Sequence, residues 1–170
     1  MLAAPAFLDT LERTGLSTWL RESESLFAYY FVLVLHNIGL ALLVGTCGLL
    51  GARLLGFVPE LPLVPLRRFF RLIWLGFWLN VVSGAFLLIA YPTKALTNPL
   101  FYVKLALVAL GVWALIRIER ECLVDEEAIA SRLAAKRPLV LWMLGAWLGV
   151  LTLGRTLAYT ASYILYGKGT

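Results

Sequence analysis

A chain of 170 residues that is 61% hydrophobic and only 15% charged is too apolar for a soluble domain, whose surface must be wetted. Its formal net charge of +5 is no nucleic-acid signal, because the basic residues cluster between apolar runs as membrane topology requires. The two cysteines, Cys47 in an apolar run and Cys122 in a basic segment, argue against a disulfide and match no metal-binding spacing.

The first 24 residues lack a basic region leading into an apolar core, and Asp9, Glu12 and Arg13 interrupt them, so they do not read as a signal peptide. Phe7, Leu8, Leu11 and Trp19 fall roughly on one helical face. That pattern predicts a short amphipathic helix in the membrane interface, with a frayed polar leader as the bland alternative. Four apolar stretches follow, at about 26–50, 70–90, 100–118 and 139–160. Each approaches the ~20 residues that cross a hydrocarbon core ~30 Å thick. The expected fold is an all-α polytopic membrane protein, a four-transmembrane-helix bundle forming one integral domain, with residues 1–24 as an interfacial segment.

Between spans one and two, Pro59, Pro62 and Pro65 recur at the polyproline II period and predict a short, stiff loop. Asn98 before Pro99 is an N-cap with proline at the first helical position, which starts span three. Arg137 before Pro138 predicts a similar opening for span four. Residues 121–132 alternate acids, small apolar residues and arginine, as a helix end or surface helix does. Arg53, Arg67, Arg68 and Arg71 bracket the first loop, and Arg117, Arg120, Arg132, Lys136 and Arg137 populate the third. The second loop has only Lys94 and the tail only Lys168. By the positive-inside rule the first and third loops are cytoplasmic. Both termini then face outward, which in a bacterial inner membrane means the periplasm.

Small residues let helices approach in lipid. Span one offers Ala41, Gly45, Gly48 and Ala52 along one stripe, and span two offers Gly76, Asn80, Ser83 and Gly84. The chain's single histidine, His36, lies inside span one. An ionisable group there is costly and marks a candidate functional position. At ~100° per residue it shares a face with Ser25, Tyr29, Val32, Leu43 and Cys47. The adjacent Asn37 offers either a second polar ligand or an interhelical hydrogen bond.

Lys104 and Arg155 each lie about five residues inside the expected outer ends of spans three and four, roughly 7 Å deep. Snorkelling to the headgroups is one reading of both. Arg155, however, shares a polar strip with Thr152, Tyr159 and Ser162. An imidazole in the interior beneath two cations suits an amphipathic anionic ligand: a haem with its iron on His36 and its propionates near Lys104 and Arg155. Glu24 is placed to neutralise one of those cations instead. A quinone or proton-handling role, and a purely structural histidine bonded to Asn80 or a hydroxyl, are the competing readings. The candidate cofactor-binding set is His36, Lys104, Arg155, Asn80 and Tyr29, with His36 as the ligand to iron.

Leu35-His36-Asn37-Ile38-Gly39, then Gly45 and Arg53-Leu54-Leu55-Gly56, resemble a family of uncharacterised four-helix bacterial membrane proteins. Asn98-Pro99-Leu100-Phe101 with Lys104, and Gly154-Arg155 with Ala158-Tyr159, extend that resemblance over residues 25–159. More distantly, the order His36, Gly45, Arg53-Leu54, Arg67-Arg68-Phe69-Phe70-Arg71, Gly84 and Val103-Lys104-Leu105-Ala106-Leu107-Val108 is similar to HemJ-type protoporphyrinogen oxidases and copper-resistance D-like membrane proteins. In those oxidases the first-span histidine and the lysine are functional and the protein binds haem b. The resemblance therefore implies a haem-linked role for His36 and Lys104. The further histidines of those oxidases have no counterpart here.

One histidine does not make a bis-histidine cytochrome, and Met1 and Met143 are poorly placed as second ligands. The arrangements left are a five-coordinate haem, one with Lys, Tyr or Cys as sixth ligand, or one shared between two subunits. The expected function is thus a small haem b or tetrapyrrole protein with a redox or electron-transfer role. The alternative is a non-catalytic subunit of a larger membrane complex, or a homodimer, that packs through its small-residue faces. No span carries an internal acid or broken-helix signal that would favour a transporter. A hydrolase is weaker still, with no nucleophile–histidine motif.

Overall fold

In lipid every backbone N–H and C=O must find a partner, and apolar runs of about 20 residues meet that demand as helices, whose bonds lie within one segment. The computed structural model describes residues 6–23, 25, 28–61, 63–122 and 126–166; for residues 6, 9, 63–67, 121–122, 126–136 and 158–166 it describes the backbone alone. These residues form α1 (Ala6–Glu12), α2 (Gly15–Glu22), α3 (Tyr29–Leu55), α4 (Leu63–Ala90), α5 (Pro92–Leu96), α6 (Pro99–Cys122) and α7 (Glu126–Tyr166), with no strand among them. Four are long and apolar enough to cross a membrane: α3, Arg68–Ala90 of α4, Pro99–Arg120 of α6 and Arg137–Leu157 of α7. The four-helix membrane bundle expected from the sequence is present.

Its boundaries move for local reasons. Helix α3 runs five residues past the expected end, to Leu55, and is stopped by Gly56, which adopts a left-handed φ of 87°. There the Gly56 N–H donates to the Arg53 carbonyl (3.1 Å) and the Phe57 N–H to that of Ala52 (2.9 Å). Together these two bonds make a Schellman stop, which favours glycine because it has no Cβ. The loop beyond is not polyproline II in its described part. Leu61 N–H bonds the Val58 carbonyl in a turn (3.3 Å), and Arg53 Nε donates to the Leu61 carbonyl (2.5 Å). Pro62 lies outside the described residues. Pro65 lies in the first turn of α4, where a missing N–H costs no intrahelical bond.

Asn98 caps α6 as expected, its Oδ1 accepting from the Leu100 N–H (3.0 Å). Span four departs from expectation, because Pro138 does not open it. Helix α7 is continuous from Glu126 and carries Pro138 in its interior. The carbonyl that loses its donor to the ring belongs to residue 134, ahead of the apolar stretch expected at about 139–160. There the lost bond falls beyond the part of the helix that must be self-sufficient.

The expected N-terminal amphipathic helix is two helices. Thr14 breaks it by capping α2, its hydroxyl accepting from the Ser17 N–H (3.4 Å). Leu8 and Leu20 are buried while Phe7 and Trp19 stay exposed. Ser17 Oγ donates to the terminal α4 carbonyl of Ala90 (3.4 Å), and Glu12 Oε1 accepts from the Thr93 N–H of α5 (3.2 Å). So α1, α2 and α5 cap one end of the bundle, while Arg53, Arg68, Arg71, Arg117, Arg120 and Arg137 mark the other.

The bundle is two hairpins, α3 with α4 and α6 with α7, joined where α3 meets α7. The first hairpin crosses backbone to backbone. A Cβ at Gly39 would lie 2.9 Å from the Asn80 nitrogen, and one at Gly76 would lie 2.8 Å from the Leu43 nitrogen. Gly51 receives the Leu144 side chain and Gly111 the Trp147 ring. Leu43, Cys47, Leu50, Ile73, Leu115, Met143 and Trp147 form the centre of the core. Near the basic end Trp74 Nε1 donates to Glu119 (3.0 Å), linking α4 to α6.

The stripe of Ala41, Gly45, Gly48 and Ala52 is not the packing face of α3. Nothing lies within 4 Å of a Cβ placed at Gly45 or Gly48. The close contacts are made by Gly39 and Gly51 on another side of the helix. Gly45→Leu and Gly48→Leu are therefore expected to leave the unfolding midpoint in detergent unchanged, within about 0.5 kcal/mol. A large loss of stability in either variant would show that this face is packed in the monomer.

Candidate functional site

The glycine crossing determines what meets His36. With α3 and α4 in backbone contact at Gly39 and Gly76, the residue three positions before Gly39 lies against the α4 turn that holds Asn80, Ser83 and Gly84. His36 Nδ1 is 3.0 Å from Ser83 Oγ. A Cβ on Gly84 would stand 3.2 Å from the imidazole Cε1, so this glycine gives the ring its room. Asn80 Nδ2 donates to the His36 backbone carbonyl (2.8 Å), pinning the α3 turn that carries the imidazole.

The contact between Ser83 and His36 depends on the histidine tautomer. Ser83 Oγ lies 2.6 Å from the Leu79 carbonyl and 3.3 Å from that of Asn80, two groups that only accept. A hydroxyl has one proton, and here it goes to the helix carbonyl. The contact with His36 is then a hydrogen bond only if Nδ1 carries hydrogen and donates. In the neutral ring Nε2 is then left as a bare lone pair, and the Asn80 backbone is a further hydrogen-bonding neighbour of the imidazole.

Lys104 is half-buried on the α6 face turned to α7. Its Nζ would be 3.9 Å from a Cβ on Gly154, an ordinary contact distance that places the ammonium beside α7. No described carboxylate or acceptor pairs with it. An unpaired ammonium within a candidate span is expensive unless it snorkels or meets an anion.

The remaining sequence candidates lie apart. Arg155 is exposed, one residue beyond Gly154, and makes no described contact with the imidazole. Tyr29 stands near the capped end, edge-on to Tyr91 (5.6 Å between centroids) and Tyr30 (6.2 Å). Asn80 uses its amide nitrogen on the His36 backbone carbonyl, and its own backbone hydrogen-bonds the imidazole. Asn37 is exposed and its Nδ2 bonds its own helix at the Leu33 carbonyl (2.8 Å), rather than crossing to another helix. Met143 is buried in the core. Glu24 and the side chains of Tyr159 and Ser162 lie outside the described residues.

Two residues central to this geometry, Ser83 and Gly84, read in the sequence as members of a packing stripe. The signal was present, since a hydroxyl next to a glycine on an apolar helix supplies an acceptor and a gap together. What the sequence lacks is the register that sets them against His36. Compared with family models, curated proteins and solved structures, the chain matches none of them.

Proposed function

We propose that this chain is a small membrane protein that binds haem b or a related tetrapyrrole through His36 and serves a redox or electron-transfer role. The observation that carries the reading is the 3.0 Å contact between Nδ1 of the sole histidine and Ser83 Oγ, which leaves Nε2 free when Nδ1 is the donor. A metal-binding imidazole has that form, with one nitrogen oriented by a hydrogen bond and the other available as donor. Lys104, uncompensated among the described residues, suits a propionate carboxylate, with Arg155 as a second cation at the protein surface. Bound haem would supply one-electron chemistry at its iron. The chain's own part is to hold the ring, supply cations to the carboxylates and keep water from the apolar face. The sequence order shared with the haem-binding oxidases supports the same assignment. The basic end, by the positive-inside rule, belongs on the cytoplasmic side of a bacterial inner membrane, with both termini periplasmic.

The direct test is the visible spectrum of protein purified from haem-replete cells, with pyridine haemochrome identification of the pigment. A Soret band at near one haem per one or two chains is expected, and colourless protein would end the proposal. Lys104→Gln removes a charge-assisted contact of about 1.5–3 kcal/mol. It should weaken haem affinity by roughly 10- to 150-fold while the helical circular dichroism stays the same. Unchanged affinity in a titration of apoprotein would remove Lys104 from the site.

The second reading, an accessory subunit or homodimer, is favoured by the open space around Gly45 and Gly48. Small residues facing away from the bundle admit a further helix closely. It predicts that Gly45→Leu abolishes association with a partner or second copy, read by crosslinking and native mass, in a protein that still folds.

A further inference from the structure

We infer that Ser83 and Gly84 are positioning residues for the imidazole: the hydroxyl sets His36 in the Nδ1–H form, and the absent Cβ lets the ring lie where Nε2 is the donor atom. The inference rests on the reading of His36 as a ligand, but its core, the tautomer and its cause, can be tested without any ligand. In water a neutral histidine side chain prefers hydrogen on Nε2, the form that offers Nδ1 to a metal. The geometry at the α3–α4 crossing imposes the opposite form. Ser83 Oγ has its proton engaged with the Leu79 carbonyl at 2.6 Å, so it meets Nδ1 at 3.0 Å as an acceptor. Gly84 presents no side chain where a methyl would come within 3.2 Å of Cε1. Asn80, fastened to the His36 carbonyl at 2.8 Å, keeps this arrangement from sliding. The buried serine (3% exposed) leaves little room for water to replace it.

A serine that only filled the interface would leave the ring indifferent to its hydroxyl. One that positions the ring alters the donor atom itself. Hydrogen bonding from the non-ligating nitrogen raises the basicity of the ligating one, and losing such a partner typically costs ~10–100-fold in metal affinity.

Because His36 is the only histidine in the chain, selective 15N-histidine labelling of the full protein in nanodiscs gives one imidazole with two ring-nitrogen signals. In protein freed of haem, the expected spectrum shows a protonated Nδ1 and a bare Nε2. Ser83→Ala should move the ring toward the Nε2–H form, and Ser83→Thr, which keeps the hydroxyl, should restore the original pattern. With haem added, Ser83→Ala should bind ~10–100-fold more weakly and show a lower iron–histidine stretching frequency in the ferrous Raman spectrum. Gly84→Ala should keep the Nδ1–H form but weaken haem binding by displacing the ring, and wild-type affinity there would overturn the role given to Gly84. An Nε2–H wild type, or a Ser83→Ala ring spectrum like that of the wild type, would overturn the role given to Ser83. The expected tautomers without haem binding in any variant would instead sink the haem reading, while the assignment of Ser83 as the tautomer-setting residue stands.

Discussion

Gly76→Leu is expected to separate α3 from α4 and lower the unfolding free energy in mixed micelles by about 3 kcal/mol or more, the upper end for overpacking. The reason is what surrounds the new carbon. A Cβ at Gly76 meets the Leu43 nitrogen at 2.8 Å and the Gly39 carbonyl oxygen at 2.9 Å. Those are backbone atoms and have no rotamer by which to yield. At Gly51, by contrast, the neighbouring atoms are the tips of Leu144, which can turn away. In lipid no hydrophobic driving force offsets lost contact between helices, because the tails are as apolar as the side chains. The Asn80 bond to the His36 carbonyl and the Ser83 bond to its ring span the same crossing, so haem binding should fall with stability. Gly45→Leu supplies the control, with the same added side chain and nothing near it. If Gly76→Leu unfolds with the wild-type midpoint, the close crossing of α3 and α4 is wrong.

His36→Ala is expected to reduce the Soret absorbance to background in protein that remains folded. The fold should survive because the substitution removes one side-chain hydrogen bond, worth about 0.5–1.5 kcal/mol. The interhelical bond from Asn80 ends on the His36 backbone carbonyl, which alanine keeps. Haem binding should not survive, since no other imidazole exists in the chain. His36→Gly gives a second measurement: added imidazole can enter the vacated space beside Ser83 and should restore part of the spectrum. A wild-type Soret band in His36→Ala would assign the iron to another residue and overturn the site. The two predictions separate cleanly, because one removes the ligand in an intact bundle and the other breaks the bundle around an intact ligand.

Some positions were legible in the sequence because their physics is local. Asn98-Pro99 starts α6 by its own hydrogen bond and ring geometry. Gly56 did not stand out as a helix stop, yet the stop it makes is equally local, a left-handed residue where α3 must end. Pro138 misled because a proline is tolerated wherever its lost bond falls outside the apolar stretch, and sequence does not show where that stretch lies relative to lipid. Thr14 split the N-terminal segment by outcompeting helix continuation with a cap. The glycines were the hardest to read. Gly39, Gly45, Gly48, Gly51 and Gly76 are alike in composition and context, yet three pack and two face open space.

The sequence by itself determined that the chain is an all-helical membrane protein with four spans, and that His36 and Lys104 are the polar residues its interior has to explain. Hydropathy and the demand for self-contained backbone bonding suffice for that. Only the tertiary structure decided that Ser83 meets the imidazole, that Gly84 makes room for its ring, that Lys104 lies beside Gly154, and that the Asn80 amide serves the backbone. In a soluble protein the apolar stripe of a helix reveals its inward face. In a membrane helix both faces are apolar, so angular position is readable but inside and outside are not, and the partner of each residue is settled by which helices cross and where.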